Sequence, residues 1–219
     1  MTSQSNDREF VALIGDMRES GKLADRNEVQ DQFQALIAEL NTVGAPEAIA
    51  SPFTVTTGDE FQGLLIDATV AVQAAITATE RFGAASLRFG IGRGELATAV
   101  NRDQAIGMDG PCFYRARRAL EAAGAEAGWI RVAGWSEMLD QHVNQQFSLV
   151  QCVREDWTDR QAQYAAALKE EGSQKGVCER YGVAKSTVSE SLAAGHVQEV
   201  HAAERSLATL LHETFQGEA

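Results

Sequence analysis

Residues 53–66 read FTVTTGDEFQGLLI. Phe53–Thr57 is dense in β-branched and aromatic side chains, Gly58-Asp59 interrupts it, and Phe61–Ile66 resumes an apolar run, a pattern that predicts a hairpin with a tight turn. Upstream, Phe10–Ile14 is a short apolar run ending in Gly15-Asp16, as a buried strand running into a loop would. Between the two, Asn27–Leu40 carries Val29, Phe33, Leu36, Ile37 and Leu40 at helical spacing, with Gly44 and Pro46 just beyond. Downstream, Thr69–Arg81 is an Ala-rich helix with Val72, Ala75, Ile76 and Thr79 on one face, and Leu87–Gly94 is a strand.

The resulting order, β-α-β-β-α-β, is the ferredoxin-like pattern of an α+β domain. Its first and third strands lie side by side, which brings the end of strand one near the hairpin. A helix over Gly110–Ala123 and a short strand over Trp129–Val132 extend it, and one more helix over Ser136–Val143 and one more strand over Phe147–Val153 are expected. From Asp159 onward the pattern is helical: Gln161–Glu170, Ser173–Tyr181, Lys185–Leu192 and Val197–Phe215. A domain boundary is expected near Arg154–Thr158, separating an α+β domain over 1–153 from a small all-α domain over 154–219.

Composition narrows the function classes. The chain has 219 residues, 44% hydrophobic and 23% charged, ordinary values for a folded soluble protein. A net charge of −12 repels nucleic acid and anionic membranes, so any DNA contact must come from a local patch. No apolar run approaches a membrane span, and Met1–Arg8 is polar, without the apolar core of a signal peptide. The three cysteines, Cys112, Cys152 and Cys178, are scattered and read as reduced thiols of a cytoplasmic protein. The four histidines form no HExxH, so a zinc hydrolase is disfavoured.

Two Gly-Asp steps carry the candidate chemistry. Asp16 ends the first strand and Asp59 sits in the hairpin turn; the topology points both into one space. Two close carboxylates need a cation or a proton between them, and Mg²⁺ (or Mn²⁺) takes one or two carboxylates and completes its shell with water and phosphate oxygens. The alternative is that Gly15-Asp16 and Gly58-Asp59 are turn chemistry alone. Glu60 and Glu95 are either additional carboxylates or solvated surface groups. Gly90, Gly92 and Gly94 alternate along the fourth strand, clearing one face for a helix or a ligand. Gly107-Met108-Asp109-Gly110-Pro111 breaks the chain before the next helix, whose start either receives an anion or is capped by Asp109.

The stretches VALIGDMRES (11–20), TTGDEFQGLL (56–65), RFGIGRGEL (88–96) and IGMDGPCFYRARRALE (106–121) together resemble the SatD family, over most of residues 9–153. More distantly they are similar to class III nucleotide cyclases and GGDEF-type diguanylate cyclases, which share a ferredoxin-like core. That likeness implies Asp16 and Asp59 as metal ligands and Arg118 as the arginine that stabilises the transition state. It also implies a homodimer, since cyclase sites often lie between protomers. Tyr114 takes the place of the cyclase ribose-orienting Asn, Val55 that of a base-reading Lys, and a full GGDEF signature is absent. Arg117 and Arg118 are candidate phosphate clamps; for both the alternative is a solvated helix face paired with Glu121.

Ser173–Leu192 resembles a helix-turn-helix. Ser173 caps the first helix, Gly182 supplies the turn, Val183 packs inside it, and Val188 and Leu192 hold the second helix. Lys175, Lys185, Ser186, Thr187 and Ser189 are then left as candidate DNA contacts. Between Arg154 and Val197 six basic residues meet seven acidic ones, so a monomer should bind DNA weakly and with steep salt dependence. The last helix carries an apolar stripe, Val197, Val200, Ala203, Leu207, Leu210, Leu211 and Phe215, which either covers a core or pairs with a second copy. Three functions remain: a DNA-binding regulator whose first domain binds a nucleotide or other phosphate ligand with a divalent metal, a metal-dependent nucleotidyl or phosphoryl transferase, and a protein-interaction adaptor.

Overall fold

The computed structural model describes residues 8–18, 26–83, 85–125 and 129–217; the polar stretch Met1–Arg8 lies outside them except for Arg8. The chain divides into two compact units, Met1–Phe147 with Leu207–Ala219, and Ser148–Ser206.

The first unit contains β1 (Glu9–Met17), α1 (Arg26–Leu40), a single 3-10 turn (Pro46–Ala48), β2 (Ile49–Thr57), β3 (Glu60–Leu65), α2 (Ala68–Arg81), β4 (Leu87–Glu95), α3 (Pro111–Ala125) and β5 (Ile130–Ala133). The sheet order is β2-β3-β1-β4-β5. Its first four strands have the ferredoxin-like arrangement, with β1 antiparallel to both β3 and β4, and β5 added parallel to β4. As the central strand, β1 is buried on both faces, which explains the unbroken run Phe10–Ile14.

Strand alternation sorts the side chains onto two faces. Gly15 is paired with Phe61 and Phe89, and on this face Phe33, Phe53, Phe61, Phe82 and Phe89 form edge-to-face contacts with centroids 5.6–6.3 Å apart. Phe10, Ala12 and Ile14 point to the other face, where they pack with Leu64 and with Cys112, Phe113, Ala116 and Leu120 of α3. The alternating glycines of β4 admit this helix. A Cβ on Gly90 would stand 2.0 Å from the Ala116 carbonyl oxygen, and one on Gly92 would stand 2.2 Å from both the Ala116 nitrogen and the Cys112 oxygen.

Both edge strands are closed by an asparagine. Asn41, just after α1, accepts from Phe53 N–H at 2.7 Å and donates to Phe53 C=O at 3.0 Å on β2. Asn144 does the same to Val132 on β5, at 2.7 and 3.0 Å. Each side-chain amide mimics a strand neighbour and blunts an edge that would otherwise be open to pairing.

Beyond β5 the structure corrects one expectation. Instead of a helix over Ser136–Val143 and a strand over Phe147–Val153, a single helix α4 runs over Glu137–Glu155. Phe147, Leu149 and Val153 mimic strand alternation, but Val143, Phe147 and Val150 fall on one helical face and are each buried, and no glycine or proline interrupts the turn between them.

The second unit is helical: the end of α4 from Ser148, then α5 (Asp159–Glu171), α6 (Gln174–Tyr181) and α7 (Lys185–Ala194), followed by the start of α8 (Val197–Gln216). Thr158 and Gln161 form a capping box on α5, Ser173 caps α6, and Gly172 and Gly182 end their helices at φ of 66° and 64°, conformations that favour glycine. Tyr164, Ala165, Val177, Val188, Leu192 and Val197 make its core. Glu204, 3% exposed, holds Arg154 at 2.5 Å and Lys169 at 2.9 Å. The apolar stripe of α8 is shared out along its length. Val197 belongs to this core, whereas in the first unit Phe215 lies under the Arg93 guanidinium and the Leu211 carbonyl accepts from Trp135 Nε1 at 2.9 Å. No described helix is long and apolar enough to cross a membrane.

Candidate functional site

The site lies at the end of β1 on the face covered by α3. Ile14 points to that face, so Asp16, two residues on, does too. The register sets Glu60 of β3 opposite Asp16 on one side and Arg88 of β4 opposite it on the other. Asp59 occupies the two-residue turn between β2 and β3, and its carbonyl accepts from Met17 N–H at 2.9 Å, tying the hairpin tip to the end of β1. The two Gly-Asp steps are thus backbone neighbours, and the Asp59 charge bears on Asp16. The residue directly across from Asp16 is Glu60.

Two arginines meet these carboxylates. Arg88 donates to Asp16 Oδ2 from Nε at 2.7 Å and from Nη2 at 2.5 Å. Arg117 of α3 donates to Glu60 from both Nη atoms, Nη2 to Oε1 at 2.8 Å and Nη1 to Oε2. Thr56 Oγ1 adds a bond to Glu60 Oε1 at 3.0 Å. The carboxylates form an inner layer, with side chains 15% exposed for Asp16 and 16% for Glu60; the guanidinium groups form an outer one, at 32% for Arg88 and 42% for Arg117.

The electrostatics follow this layering. Burial pushes the Asp16 carboxyl above its ordinary range; Arg88 pulls it back, and the negative charges of Asp59 and Glu60 push it up further. The hydrogen bonds from Arg117 hold Glu60 below its ordinary value against burial, and Glu60 in turn raises Arg117. Oxygen donors of this kind suit a hard divalent cation such as Mg²⁺. At Asp16 the Arg88 guanidinium is the resident positive charge, a stand-in for such a cation.

The other candidates fall around this centre. Gly15 is buried, and the Phe61 ring fills the space where its Cβ would stand, 2.4 Å from the ring edge. Gly58 is exposed in the turn, with open space about its Cα. Arg118 is exposed on α3, one position past the arginine that grips Glu60. Asp109 accepts from Gly110 N–H at 3.0 Å and from the Tyr114 hydroxyl at 2.6 Å, a bond that raises the Tyr114 phenol. Gly110 is buried against Glu95–Ala97, where a Cβ would meet backbone at 2.7 Å. Glu95 is exposed at the far end of β4, opposite Glu9. Arg88 is the member of the cluster that sequence reasoning missed; its only signal was its place at the start of the glycine strand.

In the second unit, Lys185, Ser186, Thr187 and Ser189 are exposed along the first turns of α7, while Val188 and Leu192 are buried beneath them. Val183 packs against that core, and the Gly182 turn is closed by Val183 N–H donating to the Cys178 carbonyl at 3.2 Å. Lys175 is exposed and lies 3.6 Å from Glu179.

Comparison with known proteins adds a family. The model of the SatD family matches residues 10–211, and the chain belongs to that family. No curated protein matches the chain. Among solved structures it is similar to a bacterial light-regulated adenylyl cyclase, at 11% identity over 57% of this chain and 74% of that one, with a TM-score of 0.44. It is also similar to the guanylyl cyclase Cya2, at 16% identity over 52% and 70%, TM-score 0.39. A third is the dimeric guanylyl cyclase domain of a RhoGC fusion protein from the aquatic fungus Blastocladiella emersonii, at 13% identity over 52% and 73%, TM-score 0.40.

Proposed function

We propose that this member of the SatD family is a DNA-binding regulator whose α+β domain binds a nucleotide or other phosphate ligand together with a divalent cation. The observation that carries the DNA-binding half is the presentation of α7. Its buried residues, Val188 and Leu192, anchor it to α5 and α6, and its first two turns show solvent Lys185, the small polar side chains of Ser186, Thr187 and Ser189, and the carboxylate of Glu190. Such a helix, set off by the Gly182 turn, has the form of the second helix of a helix-turn-helix, which enters the major groove by its N-terminal residues. The local charge balance is slightly acidic, so two copies of the chain, offering two α7 helices to two half-sites, are part of the proposal.

The ligand half is supported by the acid–arginine cluster. Asp16, Asp59 and Glu60 would hold Mg²⁺, and Arg88 and Arg117 would turn to phosphate oxygens, for which the planar guanidinium is well matched. The bound cation would supply charge neutralisation to the phosphate groups.

A gel-shift assay on duplex DNA at low salt tests the regulator. Replacing Lys185 and Thr187 together by Ala is expected to weaken binding at least about tenfold, the loss of one or two good contacts. Unaltered binding by the double variant would remove α7 as the reading element.

A further inference from the structure

We infer that the cluster at Asp16 takes up cation and phosphate as one unit, because Arg88 and Arg117 hold the carboxylates that a lone cation would need. The inference rests on the phosphate-plus-cation reading above and concerns how that site is regulated. The side chains form two layers, Asp16 and Glu60 inside at 15% and 16% exposure, Arg88 and Arg117 outside at 32% and 42%. A cation arriving alone competes with a guanidinium for Oδ2 of Asp16 and for both oxygens of Glu60, and each guanidinium it displaces is left without a counter-charge. A phosphate arriving alone must strip a carboxylate from its guanidinium and leave that bare in turn. A Mg²⁺–polyphosphate complex makes both exchanges at once: carboxylates pass from arginine to metal, and arginines pass from carboxylate to phosphate oxygen. Each component therefore raises the affinity for the other, and the coupling is reciprocal.

The Arg88–Asp16 contact is built into the fold, which separates it from a chance surface pair. Gly124 lies within α3, where glycine is a poor helix former. A Cβ there would stand 2.1 Å from Arg88 Nη1. The missing side chain is the notch in which Arg88 reaches Asp16. Because the colliding atom is the tip of a flexible side chain, Gly124→Ala is expected to displace the guanidinium without altering any charge or the helix backbone.

Three proteins test the inference: the full chain, Arg88→Gln and Gly124→Ala. Mn²⁺ alone is followed by the loss of its free electron paramagnetic resonance signal, and labelled pyrophosphate by equilibrium dialysis with and without Mg²⁺. The unaltered chain is expected to bind Mn²⁺ alone weakly and to retain pyrophosphate at least about tenfold better with Mg²⁺, a modest coupling for linked sites. Both variants are expected to bind Mn²⁺ alone about tenfold more tightly and to lose most of the coupling. If the unaltered chain retains pyrophosphate with Mg²⁺ while neither variant gains Mn²⁺ affinity, the arginine hold is overturned and the site itself stands. If none of the three binds Mn²⁺, or pyrophosphate with Mg²⁺, the underlying site is overturned together with the inference. Gly124→Ala keeps every charge, so poor folding of Arg88→Gln does not rescue the idea.

Discussion

Glu60 stands directly opposite Asp16 in the β1–β3 register, and the two carboxylates are shifted in opposite directions. Glu60 is held below its ordinary value of 4.5, chiefly by Arg117, so its folded pKa lies under its unfolded one. It therefore contributes stability that is present above the ordinary carboxylate range and lost as pH falls through the depressed folded value. Asp16, raised by burial from 3.8, contributes with the opposite sign: its stabilisation is present at low pH and lost as pH rises through its folded value. Urea unfolding across the acid range should show Glu60→Gln flattening the loss of stability on acidification and Asp16→Asn steepening it. The same slope change in both variants would contradict these assignments.

Arg88→Ala leaves the Asp16 carboxylate buried without its main partner. A cost of about 1–3 kcal/mol is expected, the penalty for stranding a buried polar group. Asp16→Asn combined with Arg88→Ala should recover part of it in a double-mutant cycle read by denaturant midpoints. Additive losses would mean that the pair is not coupled.

Gly92→Ala should be among the most damaging single substitutions. Its Cβ would meet backbone atoms of α3 at 2.2 Å, and backbone cannot swing aside as a side-chain tip does. Overpacking of this kind costs about 1–3 kcal/mol or more. Gly58→Ala, where nothing lies within 4 Å, should stay within about 0.5 kcal/mol of the unaltered chain. Thermal unfolding of the two variants side by side checks the contrast, and equal midpoints would contradict it.

Asn144→Ala removes both partners of the Val132 backbone and exposes the β5 edge. A loss of about 1–3 kcal/mol is expected, with greater self-association at raised temperature, since an unpaired edge invites strand addition. Asn41→Ala should do the same at Phe53. Light scattering and denaturant unfolding read both effects, and unchanged values for both variants would show the amide pairs to be incidental.

Much of the fold could be read from residue patterns, and the failures have physical causes. Phe10–Ile14 and the hairpin over 53–66 are continuous or alternating apolar runs, and they are the central strand β1 and the β2–β3 hairpin beside it. The glycines of β4 signalled a close approach, and α3 makes it. Phe147–Val153 was misleading because a seven-residue window there holds both periodicities, and only the burial of Val143, Phe147 and Val150 selects the helical one. Arg88 was hidden because its pairing with Asp16 joins two strands distant in the chain, with no hairpin turn between them to set the register. Arg117 offered Glu121 at helical i+4 spacing as its nearest partner; its guanidinium instead bonds Glu60, on a strand far away in the chain. The apolar stripe of α8 was plain, but how it is shared between two cores depends on packing partners from distant segments.

Ligand-dependent thermal shift tests the central proposal most directly. A nucleoside triphosphate with Mg²⁺, at a hundredfold excess over its dissociation constant, would stabilise the chain by about 2.7 kcal/mol. For a chain of this length that raises Tm by about 5–10 °C. The shift should disappear in Asp16→Asn and in Asp59→Asn and should require both Mg²⁺ and phosphate. No shift in the unaltered chain with any of the common triphosphates, or an undiminished one in both variants, would contradict a cation–phosphate site at the end of β1.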